Sequence, residues 1–209
     1  METYLTEEER LEALQRWWKE SKSSLFAGVI IGLVIITAWK YWQGHQQTQR
    51  EEASLTYHLM GRAISAKQPE EAIKMGQQLI ESYPSTTYAE FARLTLAKLK
   101  VEAGDLEAGK LRLEEEVKQG HDETLKSLAR LRLARILLAR GEADAGIALL
   151  KGTEATAGKF SALLEEVRGD LLIAAKRPEE ARSAYEKAKE LGNRSPLLDL
   201  KIHDLPAAG

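Results

Sequence analysis

The chain has 209 residues, enough for one or two domains, and its formal charge at pH 7 is -2, from 30 basic and 32 acidic side chains. This near balance argues against a protein whose main partner is nucleic acid, and the lack of cysteine excludes disulfides, thiolate metal ligands and a cysteine nucleophile. Hydrophobic residues make up 44% and charged residues 30%, and the frequent Ala, Leu, Glu, Lys and Arg predict an all-α protein.

Residues 1–22 are predicted to form a short amphipathic helix on the cytoplasmic surface of a membrane. Thr6 and Glu9 have the spacing of a capping box, which would begin the helix. Apolar side chains then recur on one helical face, at Leu11, Leu14, Trp17 and Trp18. The alternative is a frayed polar tail.

Residues 23–42 contain a long apolar run and are predicted to form a single transmembrane helix. Between Leu25 and Trp42 the only charged side chain is Lys40, and a helix over this stretch rises about 27 Å, close to the hydrocarbon thickness of a bilayer. Aromatic residues that favour membrane interfaces lie at both ends: Trp17, Trp18, Trp39, Tyr41 and Trp42. The alternatives are a buried core helix, against which the two aromatic groups argue, and a signal peptide, which would need a small-residue cleavage site.

The basic residues around this segment predict its orientation. Arg16, Lys19 and Lys22 precede it, whereas Lys40 and Arg50 are the first positive charges at and after its end. Positive charge favours the cytoplasmic side, so the N-terminus is predicted to be cytoplasmic and residues 43–209 to be exported. In a bacterium the chain would then lie in the inner membrane with this large part in the periplasm.

Two glycines one turn apart, Gly28 and Gly32, form a GxxxG motif inside the predicted span. Small residues at this spacing let another helix approach closely, so both are candidate helix-packing residues. The alternative is chance, because glycine is common in membrane helices.

An internal repeat organises the rest of the chain. The segment Arg93–Leu99 recurs as Arg130–Ile136, and Lys67–Ala72 recurs as Lys176–Ala181, which places four tight turns at 67, 104, 141 and 176. Each turn is followed by acidic residues, and then by a small residue that lets the second helix lie close to the first. The predicted helix pairs are 46–66/69–82, 86–103/105–119, 122–140/142–151 and 160–175/178–191, with Gly192 as a helix stop.

These pairs resemble tetratricopeptide repeats, in which Gly169, Ala181, Tyr185 and Ala188 match the small and aromatic positions of the last unit. The predicted fold is therefore all-α, with one transmembrane helix followed by a TPR-like α-solenoid of about four helix pairs. The alternative is a helical bundle without repeats. Residues Pro196–Ile202 are apolar enough for a capping helix, with a docking motif for a partner as the alternative.

No pattern of catalytic or ligand-binding chemistry stands out in the sequence. The four histidines lack metal-ligand spacing, and no HExxH or GxSxG motif occurs. We predict no catalytic residue, cofactor, metal site, nucleic acid or small-molecule substrate. The first helices of the repeats should instead line a protein-binding groove, with Arg93, Lys126 and Arg130 as exposed candidate contacts.

The whole-chain organisation is similar to that of the YfgM family. The similarity rests on the segment Ala13–Gln47 around the predicted span, on Leu125–Leu138, on Val167–Tyr185 and on Leu200–Leu205. It implies a non-enzymatic ancillary subunit of the bacterial SecYEG translocon that associates with the periplasmic chaperone PpiD. Such a subunit would bind translocating, unfolded polypeptides and help to pass them to periplasmic chaperones. The alternatives are a membrane-tethered scaffold for another cell-envelope complex and, as a third class, an enzyme.

Overall fold

The computed structural model describes residues 7–153 and 157–206, and within the first helix it leaves the side chains of 7–10, 12–16, 19–25, 27 and 29 undescribed. In the described residues every regular element is helical, which confirms the predicted fold class as far as an all-α protein. The predicted capping box lies outside this part of the chain, because Thr6 and the side chain of Glu9 are not described.

The chain divides into two compact units, residues 1–49 and 50–209, and helix α1 (Glu7–Ser65) extends over the boundary. In the first unit the described apolar side chains between Phe26 and Ile36 are more than half exposed. No helix among the described residues has an apolar stretch of the length needed to cross a membrane. The predicted span includes 23–25, 27 and 29, whose side chains are not described, and the anchor stays a prediction.

The second unit consists of helices in sequential pairs. The helices after α1 are α2 (Pro69–Ser82), α3 (Thr87–Glu102), α4 (Leu106–Gln119), α5 (Glu123–Ala139), α6 (Ala143–Leu150), α7 (Ser161–Ala174), α8 (Pro178–Glu190) and α9 (Pro196–His203), with a 3₁₀ turn (Gly158–Phe160) before α7. The predicted ends of the paired helices are confirmed to within one residue from α2 onward. The first predicted helix differs, because it is the C-terminal part of α1 and has no separate start at residue 46.

The four predicted turns share one backbone conformation. Lys67, Gly104, Gly141 and Lys176 have positive φ angles of 56°, 83°, 75° and 60°, and Gly192 after α8 has 99°. At each turn two backbone N–H groups bond to the preceding helix; at Lys67 these are Lys67 N to Ile64 O at 3.0 Å and Gln68 N to Ala63 O at 2.9 Å. This is the Schellman motif, which satisfies the last carbonyls of a helix and reverses the chain.

Small residues in the second helices bring neighbouring helices into close contact. A Cβ atom added at Gly109 would lie 2.7 Å from Cγ2 of Val101, so α4 packs closely on α3, as predicted. A Cβ atom at Gly146 would lie 2.5 Å from Cδ2 of Leu171, which belongs to α7. Gly146 therefore allows close packing on the next helix pair, whereas the sequence predicts close packing within its own pair.

Four core clusters follow one another along the second unit. Met60, Leu79 and Leu96 join α1, α2 and α3 in the first cluster. The second cluster joins α3, α4 and α5, and the third joins α5, α6 and α7, so neighbouring clusters share a helix. The last cluster packs Leu198 of α9 against Tyr185 of α8 and Leu172 of α7. Each helix pair is thus stabilised by its neighbours, as in repeat proteins, and α9 covers the end of the last core as predicted for a capping helix.

Candidate functional site

An ion pair is buried where α3, α4 and α5 meet. Nε of Arg93 lies 2.6 Å from Oε2 of Glu116, and the two side chains are 3% and 0% exposed. Beside them, Oε1 of Glu90 accepts a hydrogen bond from the backbone N–H of His121 at 2.7 Å. Burial raises the pKa of Glu116 above its ordinary value, and the hydrogen bond from Arg93 opposes this shift without cancelling it.

The prediction that Arg93, Lys126 and Arg130 are exposed is wrong: Lys126 and Arg130 are half-buried, and the largest departure is at Arg93. Its guanidinium is buried, because α3 packs against helices on both sides and the charge is held by Glu116. Lys126 and Arg130 are half-buried on α5, and their nitrogens lie 2.7 Å and 3.9 Å from the carboxylate oxygens of Glu123. Their role as partner contacts stays a prediction, and Arg93 has no accessible charge to offer a partner.

An apolar cavity of about 380 Å³ lies between the C-terminal halves of α3 and α5. Ala97, Leu113 and Ile136, all buried, form its apolar floor. Its volume falls at the lower end of the range, roughly 300–1,000 Å³, that proteins use for ligands. We call it the α3/α5 pocket.

Two arginines of α5 border the α3/α5 pocket. Arg132 is half-buried and donates from Nη1 to the carbonyl oxygen of Leu94 at 3.1 Å, and Arg135 is exposed. Burial lowers the pKa of Arg132, and the neighbouring charge of Arg135 lowers it further. On α3, Lys98 and Glu102 complete the border, with Nζ and Oε1 3.7 Å apart. The edge of an apolar pocket therefore carries an excess of positive charge.

A second polar network holds α9 in place. Nζ of Lys201 donates to Oε1 of Glu166 and to Asp170, each at 2.8 Å, and the hydroxyl of Tyr185 donates to Asp170, also at 2.8 Å. These hydrogen bonds raise the pKa of Lys201 despite its burial, and burial and Asp170 raise the pKa of Tyr185. This network fixes α9 on α7 and α8, so its role is structural.

The predicted helix-packing glycines lie on α1 in the first unit. Gly28 is exposed and Gly32 half-buried, and a Cβ atom added at either would have no described neighbour within 4 Å. The predicted membrane-interface side chains are all more than half exposed; they are Trp17, Trp18, Trp39, Tyr41 and Trp42. Their contacts with a partner helix or with lipid stay predictions.

The α3/α5 pocket and its two arginines were not predicted from the sequence. Arg132 and Arg135 lie inside the recurring segment Arg130–Ile136, three residues apart and hence on one face of a helix. That spacing was the available signal. Neither the pocket nor its edge can be deduced from it, because the facing side of α3 is far away in sequence.

Among the described residues, no cluster of histidine, aspartate and glutamate side chains is suited to bind a metal ion.

Residues 15–207 match the tetratricopeptide repeat-like domain family. The ancillary SecYEG translocon subunit of Escherichia coli is 31% identical over 209 residues, covering 98% of this chain and 99% of that protein. The chain belongs to the family of the ancillary SecYEG translocon subunits.

A second member, the ancillary SecYEG translocon subunit of Haemophilus influenzae, is 28% identical over 204 residues, which cover 96% of this chain and 98% of that protein. Among solved structures, MamA 41-end from Desulfovibrio magneticus RS-1 superposes with a TM-score of 0.58 over 72% of this chain and 81% of that one, at 16% identity. That likeness shows a shared fold only.

The similarity to the E. coli and H. influenzae proteins confirms the family resemblance that was predicted from the sequence.

Proposed function

We propose that this protein is an ancillary subunit that associates with the SecYEG translocon and uses its TPR-like unit to bind other proteins. The observation that carries this proposal is the extent of the similarity to the ancillary SecYEG translocon subunits, which runs over 98% of this chain in the E. coli case. The similarity therefore includes the N-terminal segment as well as the repeats. A stack of helix pairs offers an extended surface for protein segments, which supports the binding role.

We further propose that residues 23–42 anchor the protein in the bacterial inner membrane, with the N-terminus cytoplasmic and residues 43–209 periplasmic. The apolar run from Leu25 to Ile36 and the aromatic residues at its ends support the anchor. The described apolar side chains of this segment are exposed, which is costly in water and favourable in lipid. The basic residues before the run support the orientation.

In this arrangement the TPR-like unit would lie where translocated chains emerge. We propose that it binds the periplasmic chaperone PpiD and unfolded segments of translocating polypeptides, and helps to pass these segments to periplasmic chaperones. The α3/α5 pocket supports this proposal, because an open apolar pocket with a charged edge suits an extended protein segment.

The test is affinity capture of the full chain from membranes solubilised in a mild detergent, with quantification of SecY, SecE, SecG and PpiD by mass spectrometry. The control variant replaces 23–42 with an unrelated membrane span, which keeps the protein in the membrane. We expect the translocon subunits to be enriched with the native chain and reduced with the control. Capture of another envelope complex without any translocon subunit would contradict the proposal and favour a membrane-tethered scaffold.

A further inference from the structure

The α3/α5 pocket joins an apolar floor to a positively charged edge, and these two features point to one kind of ligand. We propose that it binds an extended acidic segment of a partner protein, with an apolar side chain in the pocket and a neighbouring carboxylate on Arg132 and Arg135. This inference rests on the proposed protein-binding role of the TPR-like unit and names the chemical class of the segment that is bound.

The floor of the α3/α5 pocket favours an apolar side chain. Leu113 and Ile136 are buried beneath it, whereas Val101 and Leu106 remain partly open to it. Solvent in a cavity of about 380 Å³ with such walls finds few hydrogen-bond partners, so an apolar side chain that replaces it gains free energy.

The two arginines at the edge of the pocket favour a negatively charged group. A guanidinium has five N–H donors, and the described structure accounts for one hydrogen bond of Arg132, to the carbonyl of Leu94. In the described part of the chain no carboxylate forms an ion pair with Arg132 or Arg135. Glu102 lies with Lys98, and Glu166 accepts hydrogen bonds from Lys201 and Asn193. The charge of Arg135 contributes to the lowered pKa of Glu166 without a direct ion pair, so Glu166 offsets only part of that charge.

The like charges of the two arginines favour an anionic partner. They lie three residues apart on α5 and both line the α3/α5 pocket, and the charge of Arg135 contributes to the lowered pKa of Arg132. A carboxylate between them would relieve this repulsion and could accept two parallel hydrogen bonds from one guanidinium. The chain as a whole carries a charge of -2, so this positive edge is a local feature of the surface.

A protein segment suits this border better than the phosphate of a lipid. Glu102 and Lys98 lie on the same edge, where a peptide backbone can donate an amide N–H to Glu102 and accept from Lys98 at a carbonyl oxygen, whereas a phosphate diester has no N–H group to donate to Glu102. The border therefore combines donors for an acidic side chain with a mixed pair for a peptide backbone.

The experiment measures fluorescence anisotropy of a labelled short peptide that carries leucines flanked by glutamates. The full chain is used in detergent micelles. Two matched peptides replace the glutamates with lysine or the leucines with serine. The variant Arg132→Gln/Arg135→Gln is compared with Arg177→Gln/Arg194→Gln, which removes the same charge elsewhere in the second unit. The single variant Arg135→Gln, at an exposed position, tests the site without disturbing the Arg132 hydrogen bond.

We expect the acidic, leucine-containing peptide to bind about tenfold more tightly than either matched peptide, and the pocket double variant to lose about that factor. The control double variant should change the dissociation constant by less than about twofold. Equal binding by the pocket and control variants would overturn the proposal. Displacement of the peptide by short-chain phosphatidylglycerol, more readily than by unlabelled peptide, would overturn it in favour of a lipid site. Neither result affects translocon capture, so failure here is distinguishable from failure of the proposed function.

Discussion

At the scale of single residues, the stability of the folded protein depends on the ion pair between Arg93 and Glu116. Both charges are buried, and a buried charge that loses its partner keeps its full desolvation penalty. Replacing the whole pair with apolar residues removes the penalty together with the attraction. The pair is therefore expected to respond very differently to single and double substitution.

We predict that Glu116→Ala lowers the free energy of unfolding by about 3–5 kcal/mol, because it leaves the Arg93 guanidinium buried and unpaired. The double variant Arg93→Met/Glu116→Leu should cost much less than the single one. Denaturant unfolding of the full chain in micelles, followed by circular dichroism, measures both. Glu102→Gln, in an exposed pair on α3, is the control and should cost less than about 1 kcal/mol. A cost for Glu116→Ala as small as that of the control would contradict the account.

The raised pKa of Glu116 gives a pH prediction with a definite sign. A carboxyl group whose pKa is higher in the folded than in the unfolded state contributes most to the stability of the folded state below its ordinary pKa of 4.5. That contribution is lost as the pH rises from 4.5 toward the pKa of the folded state. The groups that face it are Glu90, Arg93, His121 and Lys126. We expect Glu116→Gln to remove this loss of stability with rising pH, because a glutamine side chain does not ionise.

The measurement is the difference in free energy of unfolding between Glu116→Gln and the native chain across the range above pH 4.5. Other carboxylates with lowered pKa, such as Glu166, affect both proteins equally and cancel in the difference. We expect the variant to gain stability relative to the native chain as pH rises. A difference that does not vary with pH would contradict the burial of this charge.

At the scale of helices, close packing depends on a few small residues. A Cβ atom at Gly169 of α7 would overlap the ring of Tyr185 on α8, whereas one at Gly61 of α1 would meet nothing within 4 Å. Both glycines lie inside helices, so both substitutions to alanine bring the same gain in helix propensity. Only the packing differs between them.

We therefore predict that Gly169→Ala destabilises the protein by about 1–3 kcal/mol through overpacking, whereas Gly61→Ala stabilises it by about 0.5–1 kcal/mol. Thermal unfolding of the full chain in micelles, compared between the two variants, is the check. If Gly169→Ala proved as stable as Gly61→Ala, the close contact between α7 and α8 would be refuted.

Helix ends and turns were predictable from sequence because their causes are local. A turn such as the one at Gly141 is specified by the residues on either side of it, and the repeat showed the same pattern four times. The burial of Arg93 and the contact of Gly146 with Leu171 were not predictable, because each depends on a helix that is distant in sequence. A polar residue on α3 looks exposed until the packing of its neighbours is known.

At the scale of the whole molecule, the second unit is a series of helix pairs whose cores connect each pair to the next. Sequence periodicity was sufficient to predict this architecture, since each pair has the same turn. The binding surface was harder to predict, because the α3/α5 pocket arises only when α3 and α5 lie side by side. The family was identifiable from the chain as a whole, whereas the repeats alone indicate only the TPR-like superfamily.

The measurement that tests the central claim most directly is in vivo photo-crosslinking from α1. A photoreactive amino acid is placed at Gly28 or Gly32 and, as matched controls on the opposite face of the helix, at Ile30 or Val34. The account predicts adducts with SecY, SecE or SecG that are stronger from 28 and 32 than from 30 and 34. Adducts with other membrane proteins only, from all four positions, would contradict it.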